Sequence, residues 1–415
     1  MNQQHIKRTS LTASLVLTGL ASTGTSVIWN GLPFIAKRDY DFSESENLAL
    51  YALIGFVYVA GALTSGLCTR LVRPIISMRS MVALILLTIA IACSLPLIFT
   101  GSFVIWTSSA VAGFCSAWLW PIVESYLVAG RHGQEMRRVI GWWNIVWMVA
   151  VASSMIAMAP LMDKHASMVI VGLGVFNVCA ICVLPWYAKN PPMHDVETSN
   201  KHVPECYRDL LKGARVLLPL SYAINGVLAP LLPFVLAGIA IDIFWQTPIV
   251  SVWMISRVLV SAAMWRFGKE ESSCGVDSEI SSTSTGTSWH GKWSVLWLAI
   301  SSLGLGFVFI LCANTLVVVL IGLILFGAGM GATYYISLYY AMAVGHAEVD
   351  AGGKHEAFIG GGYMLGPIAG FVSLQIAGSG AEATDASGFM PIIYVVLAIF
   401  ALATVALALF CIKAR

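Results

Sequence analysis

Of the charged residues in this 415-residue sequence, Glu124 and Arg257 sit deepest inside long apolar runs. An ionisable group in hydrocarbon costs on the order of 3 kcal/mol even on lenient scales, so it needs a partner, water or a task. Glu124 lies six residues before Gly130, about 9 Å from that end of the run at 1.5 Å per residue. A carboxylate there relays a proton or cation, or accepts a hydrogen bond from a bound molecule; equally, it pairs with Arg137 or Arg138 just beyond the run. Arg257 lies ten residues before Phe267. Its planar fork of donors suits a carboxylate or phosphate, and the alternative is a structural pair with Glu124 or with helix-end carbonyls.

Helical spacing gives both charges aromatic company. Gly113, Ala117, Trp120 and Glu124 share one face at i, i+4, i+7 and i+11, and Gln246, Trp253 and Arg257 share another. Tyr335 and Tyr339 form a further i, i+4 pair. Aromatics facing each other across helices suit a ring-bearing or amphipathic solute; the same stripe also serves plain helix packing. Asn30, Asn144, Asn225 and Gln375 are single amides within runs, and either touch solute or hydrogen-bond between helices. The candidate solute-binding set is therefore Trp120, Glu124, Asn225, Trp253, Arg257, Tyr335 and Tyr339, with Glu124 also the candidate for proton coupling.

Other chemistries lack their residues. The sequence has no GxxxxGK[ST] phosphate loop and no HExxH pair. The histidines at 5, 132, 165, 194, 202, 290, 346 and 355 all read as loop or tail residues. No catalytic cluster, metal site or cofactor is expected, and the chain is read as not an enzyme. Nine cysteines without paired spacing argue against a disulfide framework. Cys179-Ala-Ile-Cys182 falls in an apolar run and reads as small core residues. A formal net charge of +2 points to no nucleic-acid partner.

What must position these side chains is a bundle of membrane helices. The chain is 58% hydrophobic and only 11% charged, against roughly 25% charged in soluble domains, too little polar surface for a water-soluble globule. Twelve apolar runs are long enough to cross a bilayer: 11–36, 47–68, 80–99, 102–129, 139–162, 168–188, 212–240, 243–267, 293–313, 315–344, 357–379 and 389–411. They are continuously apolar rather than alternating, which favours helices over a barrel. The first run is too long for a cleaved signal and reads as a retained helix. With the N-terminus inside, 19 of the 23 basic residues fall on the inner side and only Lys37, Arg38 and Lys164 on the outer. That asymmetry places both termini in the cytoplasm.

The runs divide into related halves. Leu32-Pro33-Phe34 recurs as Leu232-Pro233-Phe234. The fourth span, 112–130, aligns without gaps on the tenth, 327–345, at an offset of 215, so Tyr335 and Tyr339 stand where Trp120 and Glu124 do. Val139-Ile140-Gly141 matches Phe358-Ile359-Gly360 at an offset of 219, and longer loops account for the drift. The expected organisation is a six-helix half over 1–188, a polar linker over 189–211 and a second half over 212–415. The second half carries a Ser/Thr-rich, disordered cytoplasmic loop at 268–292. Repeats of this kind mark secondary transporters with a mid-membrane site between the halves.

This layout resembles the major facilitator superfamily. Gly66-Leu-Cys-Thr-Arg70-Leu-Val-Arg73-Pro74 keeps a glycine and the basic residues of that family's loop between spans two and three, and lacks its aspartate and second glycine. Pro121-Ile-Val-Glu124-Ser125-Tyr126-Leu127 with Arg137-Arg138 is similar to the ESxL-loop-RGR region of some bacterial members. Gly362-Tyr-Met-Leu-Gly366-Pro367-Ile-Ala-Gly370 is similar to the family's antiporter motif, but lies in span eleven rather than five. The resemblance implies a monomeric, multi-pass carrier of the cell (inner) membrane. Such a carrier moves a small organic solute by alternating access, driven by protons or by the solute gradient. The rival reading is a membrane scaffold or sensor that keeps the fold without transporting.

Overall fold

The computed structural model describes residues 9–129, 131, 133–191, 205–267, 289, 291–344, 349–376 and 386–414. Most of the 268–292 stretch and the middle of the linker lie outside these. The described residues form thirteen α-helices. Six belong to the first five spans: α1 (Leu11–Asn30), α2 (Leu32–Tyr40), α3 (Glu44–Val72), α4 (Met78–Cys93), α5 (Phe103–Val128) and α6 (Gly133–Ala157). The sixth to ninth spans are α7 (Met168–Ile181), α8 (Glu205–Gly238), α9 (Ile243–Phe267) and α10 (Trp293–Leu311). The last three are α11 (Leu316–Val344), α12 (Val349–Ile376) and α13 (Met390–Lys413). Counting the short turns that carry α4 on to Leu97 and α7 on to Trp186, all but α2 belong to spans long and apolar enough to cross a membrane, twelve among the described residues, and the chain is a multi-pass membrane protein.

Local sequence sets where the helices begin. Ser10 and Ser77 accept hydrogen bonds from the first turns of α1 and α4, and Ser43 with Glu46 forms a reciprocal capping box on α3. Three boundaries differ from the sequence reading. The first run breaks at Gly31, because the ring of Pro33 collides with the carbonyl four residues back. The linker ends earlier than 211, since α8 already runs from Glu205, with Lys212 and Asp209 paired at 2.7 Å on its first turns. The eleventh span begins at Val349 rather than 357. The run Lys354-His355-Glu356 reads as a polar loop, yet it is helical and its last two residues are buried.

Packing repeats between the halves. In the first, α1 packs on α5, α6 and α7, α3 on α5, and α4 on α5 and α7; in the second, α8 packs on α11, α12 and α13, α9 on α11, and α10 on α11 and α13. Each of these pairings has its counterpart in the other half, and the second half adds α8–α10 and α12–α13 contacts of its own. The halves meet chiefly along α3–α12 and α6–α9, which exchange under the same symmetry. The Gly362–Gly370 motif of α12 is explained by packing: a Cβ at Gly366 would overlap the backbone of Ala223 in α8.

Contacts bridge the halves at both ends of this interface. At the end opposite the termini the two Leu-Pro-Phe repeats come together. Lys37 donates to the Pro233 carbonyl at 3.3 Å and lies 4.1 Å from the Phe234 ring centre, while Asn47 reaches the carbonyls of Pro33 and Pro230. At the termini end, Gly353 abuts Ser65 and Gly141 abuts Trp265. Cys179 and Cys182 are exposed on the rim helix α7 and its end rather than in the core, and both are free. Cys206 at the start of α8 is disulfide-bonded, a pairing that residue spacing does not reveal.

Candidate functional site

Between these bridging contacts lies a cavity of about 100 Å³. Its wall comes from α1, α3, α5, α6, α8, α9, α11 and α12, four helices of each half, while α4, α7, α10 and α13 contribute nothing to it. The α1 face is hydroxylic, with Ser22, Thr25, Ser26 and Asn30. Most of the remaining wall is aromatic: Trp29, Tyr58, Trp120, Trp143, Trp147, Tyr222, Trp253, Tyr334 and Tyr363.

Arg257 supplies the positive charge. It is only 2% exposed, near the middle of α9. Its guanidinium carbon is 4.5 Å from the Trp147 ring centre and 4.7 Å from that of Tyr334, with Tyr222 and Trp253 just under 6 Å away. One Nη donates to the Tyr222 hydroxyl at 3.0 Å, and Nε has no protein partner. Among the described residues Arg257 makes no ion pair. The pairing with Glu124 that the sequence left open does not form. Close approach of α11 fixes this arrangement. A Cβ on Gly331 would come within 2.9 Å of the Arg257 carbonyl and 3.2 Å of its Cα, so only glycine lets the helices meet there.

Two carboxyl groups lie toward the termini end. Glu356 lines the cavity, is 3% exposed and accepts a short hydrogen bond from Tyr58 across the half interface. Glu124 is 2% exposed and sits behind the wall, where neither oxygen has a protein partner. Gly352 of the other half lies close by: a Cβ added there would be 3.0 Å from Glu124 Oε2. The two carboxyls are within electrostatic reach of each other and of Tyr58 and Tyr334. Arg138, the described one of Glu124's suggested partners, is exposed and makes no such pair. His355 is buried beside Glu356, with its ring 5.5 Å from Tyr334 and Nε2 without a protein partner.

The expected site residues thus divide. Trp120, Trp253 and Arg257 line the cavity, and Glu124 stands just behind it. Asn225 lies in a smaller adjoining pocket and donates to the Tyr363 hydroxyl at 2.9 Å. Tyr335 and Tyr339 face away, against Trp289, and Tyr339 also meets Tyr207 and Tyr340. Tyr334 takes the position expected of Tyr335, because Gly327 and Gly331 must face α9 and that sets the rotation of α11. His355 and Glu356 were missed altogether, since the late start given to span eleven left them in a loop. Trp143 and Trp147 had a signal, an i, i+4 aromatic pair around Asn144 on the fifth span. Asn144 accepts from Trp147 Nε1 at 3.1 Å.

No family model matches the sequence, and no curated protein does. Solved structures do. The chain superposes on the nucleoside transporter NupG with a TM-score of 0.65 at 13% identity, over 97% of this chain and 98% of that one. A bacterial homolog of the human lysosomal transporter Spinster, in an inward-facing and unoccupied conformation, gives 0.63 at 12%, over 98% and 96%. The human organic anion transporter MFSD10 (TETRAN) gives 0.60 at 11%, over 96% and 98%. At these identities the likeness is one of architecture. The chain has the twelve-span, two-half fold of the major facilitator transporters.

Proposed function

We propose that this protein is a secondary transporter that moves a small organic solute by alternating access. The two six-helix halves rock as two bodies about the cavity, tethered by the linker that leads into α8 at Glu205. Carrying this reading is the cavity itself, which lies between pseudo-symmetric halves and holds a buried arginine with no ion pair among the described residues. An intramembrane arginine without a carboxylate partner is costly unless a ligand uses it. The structural neighbours, titled as nucleoside, organic anion and lysosomal transporters, are consistent with carriage of a soluble organic molecule. Trp120, Trp253 and Arg257 contact the solute. Asn225 holds Tyr363 in place. Glu124, joined now by Glu356, takes up and releases the coupling proton. The cavity is lined within one chain, which supports a monomer as the unit of transport. The basic asymmetry of the loops orients both termini to the cytoplasm of the inner membrane.

The test is an uptake and efflux screen of the purified protein in liposomes, with and without an imposed pH gradient. At least one small organic solute is expected to move, faster and against its gradient when protons are supplied. If no solute moves in either direction, the scaffold or sensor reading takes its place.

A further inference from the structure

We propose that the cavity takes a short-chain monocarboxylate, a solute of about four to six heavy atoms with one negative charge, docked on Arg257. This rests on the transport reading above and adds the class of solute. Charge comes first. Arg257 is buried and permanently protonated, it makes no ion pair among the described residues, and the rings around it carry no net charge. Glu356 is engaged by Tyr58, and Glu124 is not on the wall. With Glu356 in its protonated form, the charge the wall leaves over is that of Arg257, and one negative charge on the solute neutralises it. A dianion brings a surplus beside Glu356, a cation meets Arg257, and a neutral solute leaves the guanidinium uncompensated.

Geometry narrows the charge to a carboxylate. The Nε–H of Arg257 is unpartnered, next to an Nη that spends one hydrogen on Tyr222. That edge of a guanidinium offers parallel donors at the spacing of two carboxylate oxygens. Size narrows it further. An apolar protein cavity of about 150 Å³ holds benzene. At about 100 Å³ this cavity is smaller than that, which favours acids between acetate and butyrate over a ring carboxylate. The rings of Trp120, Trp143 and Trp253 form an apolar surface that suits an alkyl tail, which nitrate lacks, while the unpartnered Nε1–H of Trp143 adds one donor beside it.

Tryptophans in the wall supply the readout. Intrinsic fluorescence and thermal unfolding of the purified wild type would be followed during titration with propionate. Propionamide, propylamine, malonate, nitrate and benzoate serve as neutral, cationic, dianionic, tail-less and oversized comparisons. Propionate is expected to saturate and to raise the unfolding temperature, with each comparison at least tenfold weaker. Arg257→Gln is expected to weaken propionate at least tenfold, with Arg257→Lys between it and the wild type. Should Arg257→Gln fail to fold, the ligand series on the wild type decides alone. The proposal is overturned if propionate does not bind, if propionamide binds as well, or if nitrate or benzoate binds as tightly. Uptake of a neutral or cationic solute into liposomes without propionate binding overturns the monocarboxylate and leaves transport standing. Propionate binding with no solute crossing the liposome membrane supports the ligand and overturns transport.

Discussion

The two charged poles of the cavity are built on opposite plans. Around Arg257 the neighbours are large rings drawn from α6, α8, α9 and α11. Around Glu124 and Glu356 they are small or polar: Gly352 against one, the Tyr58 hydroxyl on the other, the imidazole of His355 close by. Arginine keeps its charge at every accessible pH, so a fixed aromatic enclosure suits it. A carboxyl group changes charge, and a setting with few fixed donors lets it do so without tearing a network apart. Both poles also cross between halves, Arg257 to Trp147 and Glu356 to Tyr58. The arginine pole is therefore suited to holding a solute while the halves rock. The carboxyl pole is suited to altering how tightly they adhere.

The largest effect is expected at the carboxyl pole. Glu356→Gln keeps the shape and can still accept from Tyr58, but it no longer titrates; Glu124→Gln does the same behind the wall. With an imposed pH gradient, accumulation in liposomes is expected to fall to the level seen without one in either variant. Exchange of labelled for unlabelled solute continues, because the arginine pole is intact. If both variants still accumulate solute, the carboxyl pole does not switch and the contrast between the poles is lost.

A smaller effect is expected where the poles touch, at Tyr334. Its ring lies 4.7 Å from the guanidinium carbon and 5.5 Å from the His355 ring centre. A desolvated cation–π contact contributes about 2 kcal/mol, equivalent to roughly 30-fold in affinity. Because that contact already holds the guanidinium before any solute binds, Tyr334→Leu is expected to lower the unfolding temperature and, by loosening Arg257, to weaken solute binding by less than roughly 30-fold, read by tryptophan fluorescence, while proton-driven accumulation at saturating solute persists. Loss of the proton response instead would mean that the two poles act as one site.

The architecture was legible in the sequence because membrane solvation writes it there. Long uncharged runs have no other use, and the repeat showed through the two Leu-Pro-Phe triplets that meet at Lys37. Arg257 and Glu124 were legible for the same reason, as exceptions to the rule of apolar spans. Glu356 and His355 were not, because a charged residue near a span boundary looks like loop until the helix is known to begin at Val349. Helix rotation was also hidden. It depends on which face of α11 can approach α9, and no alignment of one half on the other contains that information.

That rotation gives the smallest expected effect. Aligning the halves puts Tyr335 opposite Trp120, yet in the structure Tyr335 stacks edge-on against Trp289 at 5.6 Å and its neighbour Tyr334 faces Arg257. One residue on a helix is a turn of about 100°, enough to move a ring from one surface of the bundle to another. Gly327 and Gly331 decide the matter, since a side chain at either would strike the backbone of α9 at Trp253 or Arg257. With those glycines against α9, Tyr334 is the tyrosine left beside the guanidinium. Tyr335→Phe removes a hydroxyl outside the cavity wall, and changes at sites without shared partners combine independently to within about 0.5 kcal/mol. Solute affinity in Tyr335→Phe is therefore expected to stay within about twofold of the wild type, with any cost appearing in the unfolding temperature. A loss matching that of Tyr334→Leu would mean that α11 presents its other face in the solute-bound state. Arg257 would then hold its solute without the ring that now covers it.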